Sequence, residues 1–551
     1  MYVAHAFWPS ANGKIYESIH LRESYREGKR VHKRNIANLT HCDPKEIAAI
    51  ELALQFKGDL AALGSLDQVQ LIQGPSVGAV WSVYETARRL GIPKALGPHF
   101  EGQLGLWQVL ARVLEQGSRL SAVRLAQVHA ACDVLGMRRG FDENDLYANL
   151  TWLSDQQEAI EQRLFAARRG GKKPQLFLYD VTSSYLEGEK NANGAYGYQR
   201  DGKKGKKQIV IGLLCDEQGE PVSTQVFKGN TQDPKTFGAQ LNKASERFGC
   251  ERVTFVGDRG MIKSGQVEEL AQVGFHYITA ITKPQIETLL KAGVLRMELF
   301  SVALCEVEEE GVRYVLRRNP LRAKEIADSR ADKCASVERL CQEQNRYLAK
   351  HPRAKVGKAE ERVRAKIAQL KTELWLEVES EGRSLKLRVN EAALEEASRL
   401  DGCYVIKTDL PESAASKQVV HDRYEDLAEV EHAFRTCKTA HLETRPIHVR
   451  TPEHTRGHVL VVMLAYLIRR ELSRAWGSLD MTVEEGLHQL QTLVSTEMKV
   501  EGGGSCLRIP TPSASCRALL KALDMALPDA LPHTALPVVT RKKLPERRKP
   551  R

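Results

Sequence analysis

The chain has 551 residues, of which 42% are hydrophobic and 27% are charged. These fractions are typical of a folded globular protein and exclude a disordered or fibrous one. The formal net charge of +11 favours a polyanionic partner, although residues 541–551 alone carry seven Lys or Arg and one Glu, or +6.

The N-terminal part of the sequence has first a strand pattern and then a helical pattern. Residues 14–36 alternate in strand fashion with mostly basic polar positions, and Arg26–Lys29 predicts a hairpin turn. From about Val83 to Leu164 the apolar period becomes helical. We therefore divide this part into a basic β-hairpin region at 1–60 and a helical domain at 61–172.

Residues 173–285 alternate strands and helices as an α/β sheet does. Strands are predicted at 174–182, 208–216, 221–229, 252–260 and 277–282. The helix after the third strand has Asp233 as its predicted N-cap and Pro234 at its first position. Three antiparallel strands, a helix, a strand, a helix and a final strand predict the first half of a ribonuclease-H-like core.

Residues 286–400 break this order and predict an insertion domain. Short strand patterns (VRYVLRRN, SLKLRVN) are mixed with a highly charged helical stretch around EERVRAKIAQLKTELWLEVE. Residues 401–475 resume the core with a buried strand and two long helices. Residues 476–551 form a Gly/Pro-rich C-terminal region with the basic tail.

Cysteine usage and apolar runs indicate a cytoplasmic protein. None of the eleven cysteines has a CxxC or other metal-ligand spacing, which favours reduced thiols. The first residues lack the layout of a signal peptide. The apolar run 459–468 is about half as long as a bilayer requires and predicts a core helix.

Two aspartates follow apolar, β-prone runs: Asp180 in LFLYDVTSSYLE and Asp258 in FVGDRG. A strand-end turn is the ordinary explanation for either one alone. In a ribonuclease-H-like sheet, however, the first and fourth strands are adjacent, so both carboxylates converge. Such a pair suits Mg²⁺, and two cations about 4 Å apart stabilise the attacking and leaving oxygens of a phosphoryl displacement.

A third carboxylate is available on the predicted helix YEDLAEVEHAFRTCK. Tyr424, Glu431 and Lys438 are seven residues apart, which places them on one helical face. Arg435 lies one turn beyond Glu431. The alternative is an amphipathic helix whose Glu and Lys are only solvated surface charges.

This arrangement resembles the YREK signature of bacterial DDE transposases of the insertion-sequence-4-like superfamily. The motifs YDVTSSYLE, FKGNTQDPKTF, FVGDRGM and the block around Glu431 resemble the same proteins in order, over roughly residues 175–470. The spacing of 173 positions from Asp258 to Glu431 resembles the long interval that these proteins fill with a β-containing insertion domain. Leu427 stands where the pattern has Arg, and Arg435 is the expected substitute.

The resemblance implies a DNA transposase that binds the ends of an insertion sequence, cleaves DNA and transfers the 3′-OH ends to target DNA. Asp180, Asp258 and Glu431 would be catalytic and would bind two Mg²⁺ (or Mn²⁺). Its partners would be double-stranded DNA, at the terminal inverted repeats and the target, and a second protomer in a homodimer, with no membrane. The protein would be cytoplasmic and nucleoid-associated. The predicted DNA contacts are Tyr424, Arg435, Lys438, Arg259, Lys203, Lys204, Lys206 and Lys207.

Several of these assignments have alternatives. The cluster KKGKK at 203–207 suits a phosphate grip or a solvated loop equally well. Arg259 would neutralise phosphate charge or support the sheet. Loop composition accounts for Asp201. The helical domain at 61–172 is the expected end-binding domain, with ARRLGIPKAL as a candidate helix-turn-helix, but the basic hairpin 14–36 competes for that role.

Two other functions fit the same residues. A metal-dependent nuclease or Holliday-junction resolvase on the same fold would cut DNA without joining it. A catalytically silent DNA-binding protein derived from a transposase would bind DNA without cutting it, although three intact carboxylates argue against that.

Overall fold

The computed structural model describes residues 1–9, 15–55, 69–170, 172–439, 442, 444, 447–500 and 505–541. They fall into two compact units. The first unit comprises 1–82, 124–140 and 475–538, and the second comprises 83–123, 141–474 and 539–551. Within the described part, no helix has the length and apolarity that a membrane crossing needs. Residues 542–551, most of the basic tail, lie outside the described residues.

The elements up to residue 170 are β1 (Tyr2–Pro9), β2 (Ile15–Glu27), β3 (Arg30–Asn38), α1 (Pro44–Gln55), β4 (Val69–Ser76), α2 (Gly78–Arg89), α3 (Ile92–Leu96), α4 (Phe100–Leu114), α5 (Arg119–Val128), α6 (Ala131–Leu135), α7 (Glu143–Asp155) and α8 (Gln157–Arg169). Those up to residue 300 are β5 (Leu176–Tyr185), β6 (Gln208–Asp216), β7 (Pro221–Lys228), α9 (Pro234–Asn242), a π-helical turn (Lys243–Arg247), β8 (Thr254–Gly257), α10 (Ser264–Gln272), β9 (His276–Ala280), α11 (Lys283–Lys291) and a 3₁₀ turn (Met297–Leu299).

The remaining elements are β10 (Cys305–Glu309), β11 (Val312–Arg318), α12 (Pro320–Lys350), α13 (Val356–Leu370), β12 (Leu376–Glu381), β13 (Ser384–Val389), α14 (Glu391–Ser398), β14 (Cys403–Thr408), α15 (Lys417–Glu425), α16 (Leu427–Lys438), α17 (Pro452–Gly477), α18 (Val483–Gln491), β15 (Val494–Val500), β16 (Ser505–Arg508), α19 (Ala514–Ala522) and β17 (Ala530–Pro532).

The first unit contains two antiparallel sheets. One has the strand order β1-β2-β3, and the other has the order β17-β16-β15-β4. Strands β2 and β3 form a hairpin that turns at Gly28 and Lys29, where the sequence predicts a turn. Gly28 has φ of 66°, a left-handed conformation that glycine adopts without steric cost.

The second unit is built on an eight-stranded mixed sheet with the order β10-β11-β14-β9-β8-β5-β6-β7. Strand β5 is antiparallel to β6 and parallel to β8, and β8 is parallel to β9. The predicted first and fourth strands, β5 and β8, are therefore neighbours. The predicted succession of three strands, helix, strand, helix and strand is also present from β5 to β9.

One face of this sheet packs on an aromatic core. Phe177 and Tyr179 of β5 lie there with Phe237 of α9, Phe255 of β8 and Tyr277 of β9. Alternation along β5 directs its other side chains, including Asp180, to the opposite face. Helix α17 is the predicted core helix, since residues 459–468 are all buried.

The predicted insertion is divided by the structure. Strand β11, which carries the pattern VRYVLRR, pairs with β14 and so extends the main sheet. The buried Val315 of β11 lies opposite the buried Ile406 of β14. A separate core follows in α12, α13, β12 and β13, around Val363, Trp375 and Leu376.

The long charged helix predicted over EERVRAKIAQLKTELWLEVE is wrong in its second half. Helix α13 ends at Leu370, and Lys371 takes a left-handed φ of 56°. The residues from Leu376 onward instead form β12, which pairs with β13. Buried Leu376 and Val378 alternate with more exposed residues, which is typical of a strand. The many charged residues in this stretch led to the helix prediction instead.

Candidate active site

Three carboxylates from distant parts of the sequence line one cavity of about 440 Å³ in the second unit: Asp180, Asp258 and Glu431. The register of the parallel strands explains the first two, because Tyr179 of β5 is paired with Gly257 of β8. The next residue on each chain is the aspartate, and the two are close enough for the charge of Asp258 to raise the pKa of Asp180. Glu431 comes from α16, which packs against β5.

Asp180 does not stand at a strand end, contrary to the expectation from the sequence. Strand β5 continues to Tyr185, because β6 pairs with it along its whole length, from Phe177 to Tyr185. Ser183 and Ser184 are fully buried in this strand instead of forming a turn. The carboxylate therefore projects from the middle of a rigid strand into the cavity.

The surroundings of Asp180 disfavour its negative charge. Burial raises the pKa of this carboxyl to about 7, and the negative charges of Asp258 and Glu431 add to the increase. The guanidinium of Arg200 and the backbone N–H of Val181 act in the opposite direction. Asp180 is thus destabilised by burial and by two neighbouring carboxylates that Arg200 compensates only in part, which is the electrostatic condition that favours a cation.

Tyr424 contacts this group from α15. Its hydroxyl donates to Asp258 Oδ1 at 3.2 Å, and the backbone N–H of Arg259 donates to the same oxygen at 2.7 Å. Burial and the charge of Asp258 raise the pKa of the Tyr424 phenol, so it remains a protonated donor. The predicted single helix is broken between Glu425 and Leu427 into α15 and α16, yet the tyrosine still reaches the site.

Lys438 is held in an ion pair that sequence analysis missed. Its Nζ lies 2.5 Å from Asp201 Oδ1 and donates to Thr182 Oγ1 at 3.0 Å. The Asp201 side chain is only 2% exposed and also accepts from the Tyr185 N–H at 3.3 Å. The explanation of Asp201 as ordinary loop composition is therefore wrong, because its carboxylate ties the lining cation to β5.

Asp233 also has a different role from the predicted one. Helix α9 begins at Pro234 as expected, but the Asp233 side chain makes no capping hydrogen bond. It accepts instead from Arg200 Nη2 at 2.6 and 2.8 Å. Arg200 and Asp233 both line the cavity. The sequence near Arg200 indicates only a turn, in GYQRDG, where Gly202 has φ of 67°. It does not indicate that Arg200 contacts Asp233.

The other predicted DNA contacts divide into lining and non-lining residues. Arg435 lines the cavity with an exposed side chain. Arg259 is exposed, does not line the cavity, and lies close enough to lower the pKa of Tyr424. Leu427, at the position where the YREK pattern has Arg, is 9% exposed and belongs to the core. Its side chain therefore packs inside the protein and does not face the surface.

The KKGKK cluster also lies outside the residues that line the cavity. Three of its lysines, Lys203, Lys204 and Lys206, are exposed, Lys207 is half-buried, and Lys206 pairs with Glu187 at 2.9 Å. The structure thus places it on a surface loop, where its charge is available to a polyanion but not to the carboxylates.

A second group of possible ligands, His421, Asp422 and Glu425, occurs on α15. Nε2 of His421 lies 2.6 Å from the Tyr404 hydroxyl and 3.1 Å from Arg317 Nη1. A guanidinium at this distance opposes a metal cation. Among the described residues, only this second group has ligand atoms that all lie within 4.8 Å of one another, so the carboxylates of Asp180, Asp258 and Glu431 lie farther apart than that.

Comparisons with known proteins show the family of the chain. Residues 171–468, more than half of the chain, match the family described as Transposase DDE domain, and residues 9–62 match the IS1634 family transposase, N-terminal domain. The second match leaves the insertion-sequence-4-like branch unconfirmed. No curated protein matches the chain.

Two solved structures are similar to parts of the chain. A piggyBac transposase synaptic complex with hairpin DNA is 9% identical over 70% of this chain and 69% of that one, with a TM-score of 0.36. A Mos1 transposase paired-end complex with the left transposon end is 12% identical over 33% of this chain and 58% of that one, with a TM-score of 0.15. These scores are too low for an argument about the fold.

Proposed function

The chain belongs to the transposase DDE domain family and is a DNA transposase of an insertion sequence, and we propose that it binds the ends of its element, cleaves them and joins the 3′ ends to target DNA. The observation that carries the proposal is the meeting of Asp180, Asp258 and Glu431 in one cavity. In this reading the main sheet, with β5 and β8 adjacent, is a ribonuclease-H-like core.

The residues of the cavity fit the divalent metals that DDE transposases generally use. Asp180, Asp258 and Glu431 would hold two Mg²⁺ or Mn²⁺ ions, and hard oxygen donors are the ligands these ions prefer. The raised pKa of Asp180, about 7, supports this fit, since a bound cation would offset both the burial of the carboxylate and the repulsion from Asp258 and Glu431. When bound, the metals supply Lewis acidity at the attacking and leaving oxygens.

The side chains around the carboxylates position them and the DNA. The Tyr424 hydroxyl fixes the orientation of Asp258 through its 3.2 Å hydrogen bond. Arg435, exposed in the cavity lining, binds the phosphate next to the cut and takes the place of the missing arginine at Leu427. Lys438 orders the β5 end through Asp201 and Thr182, and its positive charge attracts the phosphate.

The proposal extends to partners. The substrates are double-stranded DNA at the terminal inverted repeats and at the target, and two protomers act together as a homodimer. The spacing of Tyr424, Glu431 and Lys438 supports a YREK-type active site. The formal charge of +11 supports association with DNA in the nucleoid of the bacterial cytoplasm.

The test mixes purified full-length protein with labelled duplexes that carry the element's own ends, a plasmid target and Mg²⁺. Wild type is expected to nick at the end and to produce joined products. Asp180→Asn and Glu431→Gln should bind the duplex with unchanged affinity but neither nick nor join.

Glu429→Gln is the matched control, because Glu429 lies on the same helix, is exposed and is rotated by about 200° from Glu431. It should retain activity. Cleavage that survives Asp180→Asn or Glu431→Gln would refute the assignment. Cleavage by wild type without any joined product would identify a nuclease on the same fold.

A further inference from the structure

The three-stranded sheet β1-β2-β3 has two faces of different charge. Side chains alternate between faces, and the register pairs Arg22 with Asn35, Ser24 with Lys33 and Arg26 with Val31. Tyr16 of β2 is paired with Trp8 of β1 on the same side. This cationic face comprises Trp8, Tyr16, Arg22, Ser24, Arg26, Val31, Lys33 and Asn35. It has three positive charges and no carboxylate among these residues.

The opposite face is electrically balanced. It carries Glu23 and Glu27 beside Arg30 and Arg34, and the register places these residues across from one another. Arg34 Nη2 lies 2.9 Å from Glu23 Oε2. Helix α1 also reaches this side, because Glu51 lies 3.1 Å from Nε2 of His5.

The outer part of the hairpin is a two-stranded ribbon. Strand β1 pairs only with Ile15–Arg22 of β2. The next residues, from Glu23 to the turn and back to Arg34, pair only with each other among the described residues. A two-stranded hairpin alone is marginally stable. Even so, its large side chains are not covered by the rest of the described protein, since Tyr25 and Val31 are 46% and 56% exposed.

The groups of the cationic face are arranged for contact. Arg22 donates from Nε to Asn35 Oδ1 at 2.7 Å, which fixes the direction of its guanidinium. Trp8 and Tyr16 stack at a centroid distance of 6.4 Å with about half of each side chain exposed. An arginine of fixed direction with small polar groups next to it, and exposed rings farther along the same face, suit a polyanion that offers hydrogen-bonding edges.

We infer that the cationic face binds duplex DNA, with the ribbon in the major groove. The groove is about 12 Å wide and admits a two-stranded β-ribbon. Arg22 and Arg26 are separated by about 13 Å along the strand, so they reach phosphates at different positions. Ser24, which lies between them, and Asn35, which lies across from Arg22, face the base edges. The inference rests on the proposed function and names the surface that holds the element's DNA.

The competing helix-turn-helix at ARRLGIPKAL is not built for this role. Its second helix would be α3, which has five residues, and Ile92, Ala95 and Leu96 of that helix are buried. The following helix, α4, is buried at twelve of its fifteen positions. Neither presents the exposed polar face that a recognition helix needs.

The test compares two triple variants of the full-length protein that lose the same charge. Arg22→Ala/Arg26→Ala/Lys33→Ala removes the three cations of the cationic face. Lys29→Ala/Arg30→Ala/Arg34→Ala removes three cations from the turn and the balanced face. Binding is measured by anisotropy in EDTA on a 40-bp duplex of the element end, at several salt concentrations, after the melting temperatures are shown to be equal.

The first variant should bind at least about 10-fold more weakly at 0.15 M salt, and the slope of log K against log salt should be less steep by about 2.7. The second variant should lose less than about 3-fold. Equal losses, or no loss from the first variant, would overturn the inference while wild-type binding and cleavage keep the proposed function. Failure of wild type to bind any duplex would overturn both.

If the first triple variant folds poorly, Arg26→Ala and Arg30→Ala provide a smaller matched pair. Both residues are exposed and lie close to the turn of the same ribbon. Weaker binding by Arg26→Ala than by Arg30→Ala supports the cationic face, and the reverse order refutes it.

Discussion

The carboxylate cavity of the second unit and the cationic face of the first unit hold charge in opposite ways. In the cavity, Asp180 projects from a central strand, and two of the lining cations are paired within the protein, Lys438 with Asp201 and Arg200 with Asp233. On the cationic face, Arg26 and Lys33 are exposed, Arg22 is half-buried, and none of the three makes an ion pair within the described residues. Charge changes in the cavity should therefore affect both stability and chemistry, whereas those on the ribbon should affect binding alone.

The largest expected effect is at Asp258. Asp258→Asn removes one negative charge from the proposed ligand set while the Tyr424 hydroxyl retains a partner. Loss of a group that only supports a ligand costs about 10–100-fold, so loss of the ligand should reduce the cleavage rate by at least about 100-fold. Single-turnover cleavage checks this, and a loss below 10-fold would contradict the assignment.

The buried ion pair gives the next effect. Asp201→Asn breaks the ion pair with the ammonium of Lys438, whose side chain is 11% exposed. Breaking such a pair costs about 3 kcal/mol of unfolding free energy. Urea denaturation measures the change.

The matched control is Glu187→Gln, which breaks the Lys206–Glu187 pair. Both of its side chains are exposed by at least 40%. It should cost about 0–1 kcal/mol. Equal losses for the two variants would remove the distinction between the cavity and the surface.

Tyr424→Phe should slow cleavage without weakening DNA binding. The variant removes one hydrogen bond to a charged group, a contribution of about 1.5–3 kcal/mol, which corresponds to a rate decrease of roughly 10- to 100-fold. Comparison of the single-turnover rate with the DNA affinity separates the two properties. An unchanged rate would show that Asp258 is oriented without the tyrosine.

The titration of Asp180 predicts how stability depends on pH. Its pKa is raised to about 7 from the ordinary 3.8, so the folded protein holds a proton that the unfolded chain has lost between these values. Metal-free protein should therefore lose stability as pH rises from about 4 to 7. Asp180→Asn should flatten this dependence by one proton's slope, and added Mg²⁺ should shift it to lower pH. If the unfolding free energies of wild type and Asp180→Asn changed with pH in the same way, the raised pKa of Asp180 would be contradicted.

The smallest expected effect is on the ribbon. Glu23→Gln breaks an exposed pair, with side chains 37% and 65% exposed, so the unfolding free energy should change by less than about 0.5 kcal/mol. Denaturation of this variant beside Asp201→Asn shows whether stability depends on the cavity alone. A loss above 1 kcal/mol would mean that the ribbon is part of the folded core.

Much of the second unit follows from local pattern. The predicted second strand, Gln208–Asp216, has the observed bounds, since every residue in it is buried and the apolar run is continuous. The order of strands and helices from β5 to β9 also follows, as does the core helix α17. The three carboxylates were found through the motifs around them, and they line one cavity.

Other features required the tertiary structure. The hydroxyl-rich residues after Asp180 have turn propensity, but pairing with β6 keeps them in a strand. Asp201 and Asp233 have the local signals of a loop and a cap, and their partners, Lys438 and Arg200, lie 237 and 33 residues away. No local pattern encodes such contacts, because they depend on which surfaces fold together.

The amino-acid sequence by itself determined the secondary-structure order of the core, the family resemblance and the basic character of the N-terminal hairpin. Only the tertiary structure decided which charges are compensated and which remain available. The reason is physical: an isolated segment fixes side-chain alternation and helix period, but burial and ion pairing depend on distant partners. A lysine or arginine is thus structural in the cavity, where it has a buried partner, and available for binding on the ribbon, where its side chain is exposed.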